Sequence, residues 1–132
     1  MGIFAGQKGD PIPITYSAGN YTGSSSMTWS AVTQVIAEYC ADSGFVRLRL
    51  AVTGSTVATV DTTLRFTYPS TILPAEAVQV PFAYSDNGTI GVGIASVTVG
   101  GTYISLQKPA AANWSASTTS TNVFVDITFR NK

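Results

Sequence analysis

Histidine is missing from this chain, and charge of either sign is scarce. Without an imidazole the chain lacks the commonest general base and the commonest metal ligand. Seven basic and seven acidic side chains cancel, and together they make up 11% of the residues, well under the roughly 25% of an average soluble domain. Beyond Arg47 and Arg49 no cationic cluster exists. Nucleic-acid binding needs several cations on one face to neutralise phosphates, so that partner is excluded, as is attraction to an anionic membrane surface. Cys40 is the only cysteine, which rules out an intrachain disulfide and leaves it to be read as a small buried hydrophobe. No apolar run nears the roughly 18 residues of a membrane span. The first residues lack a charged region followed by a long apolar one, so no secretory signal is expected.

What fills the gap is hydroxyl: serine and threonine make up about a quarter of the 132 residues. A surface hydrated by hydroxyls suits an extracellular or virion-borne protein. The hydrophobic share of 45% is enough for one folded domain. Near-zero net charge offers little resistance to self-association.

Alternation with period two dominates the chain. Val46, Leu48, Leu50 and Val52 fall on one face of a strand, with Phe45, Arg47, Arg49, Ala51 and Thr53 on the other. Leu64, Phe66 and Tyr68 alternate next, then Val78, Val80, Phe82 and Tyr84, with Pro81 on the opposite face suggesting an edge or bulge. Val123, Val125, Ile127 and Phe129 alternate with Phe124, Asp126 and Thr128. Ile90, Val92 and Ile94 read as one apolar face, but Val97 and Val99 are out of phase with it. A bulge or turn near Ala95-Ser96 is expected to absorb the slip, and Gly91 and Gly93 suggest close approach of another sheet or subunit. Asn87-Gly88 predicts a type I′ hairpin turn. Gly100-Gly101, Ser43-Gly44 and Thr53-Gly54-Ser55 read as further turns. Seven to nine short strands so spaced predict an all-β antiparallel sandwich of jelly-roll type. Residues 1–28, punctuated by Gly, Pro and Ser, read as an N-terminal arm, with the sandwich over 29–132.

Catalysis finds no foothold in this pattern. The seven acids are scattered, mostly at turns, and Asp126 is best explained by cross-strand pairing with Arg47 or Arg49. Serines have no histidine and no nucleophile elbow beside them. One thiol without imidazole is a poor metal site. The chain is therefore expected to be no enzyme and to need no cofactor or metal. Aromatics remain as recognition groups. Trp114, flanked by Asn113 and small residues, reads as a loop platform for a sugar ring, with Tyr84, Asn87 and Tyr103 as further candidate ligand-binding residues.

The stretch Tyr39–Leu50 (YCADSGFVRLRL), Leu64-Arg65-Phe66-Thr67-Tyr68-Pro69, Ala95–Leu106 (ASVTVGGTYISL) and the final Val123–Phe129 strand together resemble the trimeric β-sandwich heads of bacteriophage tail fibres and receptor-binding proteins. Gly6 to Pro11 adds two Gly-X-Y triplets, too few for a triple helix. The resemblance implies a homotrimer carried on a virion beside other virion proteins, binding a host cell-surface saccharide or receptor without chemistry. Two rivals stand beside it: a purely structural capsid or tail decoration protein, and a recognition head like those of C1q and tumour necrosis factor.

Overall fold

Inward-facing aliphatic and aromatic residues at every second position give a sheet that closes on itself. A computed structural model describes residues 9–30 and 32–132. Its strands are β1 (Ile12–Pro13), β2 (Tyr21–Gly23), β3 (Thr28–Ser30), β4 (Thr33–Asp42), β5 (Phe45–Ala58), β6 (Thr63–Thr67), β7 (Val78–Asp86), β8 (Thr89–Val97), β9 (Tyr103–Gln107) and β10 (Ser117–Arg130). Every pairing is antiparallel, and the order is β1-β4-β5-β10-β7-β8-β9-β6-β2-β3. A further pairing of β3 with β5 closes eight of these strands into a barrel, with β4 and β1 continuing the wall outside the ring. The all-β reading therefore holds, but the expected open two-sheet sandwich is replaced by closure.

Closure follows from two long bent strands. β5 and β10 each run 14 residues and pair from Arg130↔Phe45 to Ser117↔Val57, with the register shifting on either side of Thr121. Gly54 does not end β5 as a turn. It sits within the strand at φ +68°, donates its N–H to Asn122 Oδ1 at 2.9 Å, and lets the strand bend so that both halves keep partners. β4 pairs with the first half of β5 and β3 with the second.

The hairpin turns follow their sequences. Asn87 and Gly88 both take positive φ (49° and 89°) between β7 and β8, as do Ser43 and Gly44 (53° and 83°) between β4 and β5, the conformation a type I′ turn requires. β6, β7, β8 and β9 form a Greek key, in which the long connection after β6 lets β9 return beside it. Pro81 marks where β7 leaves β10: their pairing ends at Phe124↔Ala83, since proline offers no N–H to the ladder.

The boundary expected between 28 and 29 falls inside the barrel. β2 bonds to β6, and Tyr21 and Met27 are buried in the core. Among the described residues, those from Gly9 to Ile14 act as an arm: Ile14 N–H donates to Ala37 O and Gly9 N–H to Ala41 O, laying the Pro11–Pro13 stretch along the outer edge of β4. From Ala37 to Ala41 this cover blunts the edge of β4 against strand addition. The first triplet region, Gly6 to Lys8, lies outside the described residues.

Inside the barrel, Trp29, Trp114, Phe66, Phe129, Leu48, Leu50, Leu64, Ile104, Leu106 and Ile127 are almost wholly buried, each stabilising the fold by about 2 kcal/mol relative to exposure. β8 reverses the expected phase. Its register against β7 is unbroken from Val78↔Val97 to Asp86↔Thr89, so no bulge absorbs a slip near Ala95. Gly91, Gly93, Ala95 and Val97 face inward instead, and Ile90, Val92 and Ile94 face out, 85%, 60% and 43% exposed. The inward glycines make room for rings from β7. A methyl on Gly91 would overlap the Tyr84 hydroxyl, and one on Gly93 would overlap the Gln107 carbonyl oxygen and stand 2.7 Å from Phe82 Cε1.

Candidate functional site

Where the sequence places a sugar platform, the structure places a plug. Trp114 is 1% exposed. Its ring lies 5.2 Å from Tyr84 and 6.4 Å from Phe82 between centroids, and its indole N–H donates to Leu106 O at 3.3 Å. Tyr84 is buried too, at 7%. Neither ring offers a free face to a ligand, because hydrophobic burial inside the barrel outweighs exposure on a loop.

A buried carboxylate holds this plug. Asp86, 3% exposed, accepts from Lys108 Nζ at 2.6 Å and from Ser115 N–H at 3.0 and 3.2 Å. Lys108 also donates to the Asn113 carbonyl at 3.0 Å, and Trp114 N–H donates to Asp61 O. Asn113 and Asn87 are thus brought to the same end of the barrel as Trp114 and Tyr84, both exposed, Asn87 in the turn itself. Tyr103 is not among them. It stands at the start of β9, opposite Thr67, with the Arg65 guanidinium 4.8 Å above its ring centroid, an arrangement favourable through the ring quadrupole. The five candidates therefore form no single site.

The exposed face of β4, β5 and β10 carries the remaining polar chemistry. Asp126 receives both Arg47 Nε at 3.0 Å and Arg47 Nη2 at 2.6 Å. Hydrogen bonding by Arg47 holds the Asp126 carboxyl below its ordinary value and raises the guanidinium's. Arg49 Nη1 donates to Glu38 Oε2 at 3.2 Å, directly across β4. The mid-strand acid is thus explained by pairing with Arg47, as the alternation suggested. Cys40 is a free thiol at a half-buried outer position beside Arg47, not the buried hydrophobe expected.

Next to this ionic ladder runs an apolar row. Val92, Ala83, Phe124, Ala51 and Ile36 are successive cross-strand neighbours on β8, β7, β10, β5 and β4. Phe124 is 46% exposed. Where row and ladder meet there is an open hollow of about 260 Å³ lined by Ile36, Arg49, Leu50, Ala51, Phe124, Val125 and Asp126. It joins one exposed aromatic face to a guanidinium and a carboxylate, the combination that grips a ring with both C–H and O–H faces. Sequence reasoning ranked aromatics by loop context and so passed over Phe124. The signal that finds it is its place out of phase with four buried residues of β10.

Two acids elsewhere are engaged in structure: Glu76 Oε2 accepts from Arg130 N–H at 3.1 Å, and Asp42 from Ser43 Oγ. Among the described residues no three His, Cys, Asp or Glu side chains gather as a metal site. The chain matches no family model, no curated protein and no solved structure.

Proposed function

We propose that the domain is a non-catalytic attachment head of a virion, acting as a homotrimer that binds a host-surface saccharide. The observation that carries this reading is the hollow beside Phe124, an exposed ring next to Arg49 and Asp126 on the barrel wall. A pyranose laid on the ring would place its hydroxyls against the two charged groups. The likeness of the alternating strands to tail-fibre heads supports the same reading, as does the Greek-key return, a connection jelly-roll heads also use. A surface rich in hydroxyls suits a particle-borne protein.

Burial of Trp114 and Tyr84 favours a second reading, in which the domain is a structural virion component with no ligand beyond its neighbours. A glycan array separates the two. The attachment reading expects hits that Phe124→Ala weakens at least tenfold and Asn113→Ala leaves in place. An array without hits supports the structural component, and cleavage of any glycan overturns the non-catalytic reading.

A further inference from the structure

The outward row of β8 has no role in the barrel's own core. Ile90 and Val92 are the two most exposed large hydrophobic residues described, at 85% and 60%, and Ile94 beside them is 43% exposed. Strand propensity does not require them, since threonine is also β-branched, and this chain places threonine at comparable outward positions such as Thr128. Around them stand Pro81, Ala83 and Phe124, with Gln79, Ser85, Ser96 and Gln107 beyond. No outward residue of β7, β8 or β9 is charged.

Taking about 100 Å² for a fully exposed aliphatic side chain, the three β8 residues offer about 200 Å². Phe124, two strands away across Ala83, is left outside the seam, since the saccharide reading needs its ring exposed. With the exposed Pro81 and Ala83 beside them on β7, the three β8 residues give an apolar centre for an interface of standard size, which buries about 800 Å² per partner and is completed by a polar rim. The flanking Ser and Gln side chains supply such a rim. The face is also neutral, and a chain of zero net charge meets a copy of itself without repulsion.

We infer that the outer face of β7 and β8 is covered by another copy of this chain, with the Ile90–Val92–Ile94 stripe as the shared apolar seam. The stripe runs along one strand for about 13 Å, at roughly 3.3 Å per residue. A seam that narrow suits copies meeting along a rotation axis, where equivalent stripes from each subunit converge. The inference rests on the homo-oligomeric part of the reading above and names its face.

The test is light scattering and sedimentation of the whole chain, wild type beside Ile90→Lys, Val92→Lys and Thr128→Lys. Wild type is expected at a multiple of 13.8 kDa, both β8 variants at the single-chain mass with near-ultraviolet dichroism unchanged, and Thr128→Lys still assembled. An assembled Val92→Lys overturns the β8 seam while leaving the oligomer. A wild type at the single-chain mass at every attainable concentration overturns both. Dissociation of Thr128→Lys as well would show that any added charge suffices, which also overturns the seam.

Discussion

Replacing Gly93 by alanine tests the inverted phase of β8 from inside the barrel. The added methyl would overlap the Gln107 carbonyl oxygen and press on Phe82 Cε1 at 2.7 Å and Cζ at 3.1 Å. Gln107 belongs to β9 and is the register partner of Ile94, so the oxygen can retreat only by disturbing that ladder. Overpacking of this kind costs about 3 kcal/mol, at the upper end of its usual range. Lower unfolded-state entropy in the alanine chain returns about 0.7 kcal/mol. The net loss is about 2 kcal/mol, or a melting temperature roughly 6–8 °C lower for a chain of this size. Gly91→Ala meets only the end of the Tyr84 side chain, which can tilt, and should cost about half as much. Gly88→Ala meets nothing within 4 Å but holds φ at +89°, so its cost of about 1 kcal/mol is backbone strain alone. Urea and thermal unfolding at one protein concentration read all three. If Gly93→Ala is neutral or stabilising, Gly93 does not face the core, and the outward placement of Ile90, Val92 and Ile94 falls with it.

Other perturbations read other parts of the structure. Asp86→Ala should cost about 3 kcal/mol in urea unfolding, because it strands Lys108 and Ser115 N–H near the core; hydrogen exchange at Ser115 should rise with it. Burial pushes the Tyr68 phenol up to about 12 from 10.0, helped by Tyr103, and its hydroxyl donates to Gly101 O at 2.7 Å. The folded state thus keeps a proton that the unfolded chain releases, so stability is full below pH 10 and declines as pH rises from 10 through about 12. Tyr68→Phe should flatten that decline in an unfolding series across the alkaline range, and an unchanged slope would refute the assignment.

Alternation made most of the barrel wall legible. The buried faces of β5, β6 and β10 are the residues their period predicts, and the Asn87-Gly88 turn has the expected backbone. Three things were hidden, each for a physical reason. Closure depends on β3 meeting β5 across 26 residues or more of chain, and such long-range pairing leaves no local trace. Gly54 looks like a turn because a bend inside a strand and a turn between strands both ask for positive φ. Trp114 looks exposed because its neighbours are small and polar, yet Asp86 and Asp61 tie that loop down over the barrel end.

The phase of β8 was written in the sequence, but hydropathy gave the wrong weight to it. Ile90, Val92 and Ile94 outrank glycine on any hydrophobic scale, so the strand reads as facing inward by them, and Val97 then looks displaced. Register removes the conflict, since Val97, Ala95, Gly93 and Gly91 share one face with no slip. Interior volume decides that face. Phe82, Tyr84 and Trp114 fill this end of the barrel, and only a strand with hydrogen in place of a side chain at two successive inward positions can pass behind them. Packing thus accounts for the glycines and is silent about the aliphatics that alternate with them. A threonine at each outward position would keep the strand and remove the exposed apolar area. The core and the outer stripe are therefore separable: substitutions at 91 and 93 should move stability, and those at 90 and 92 should move assembly while leaving the single chain folded.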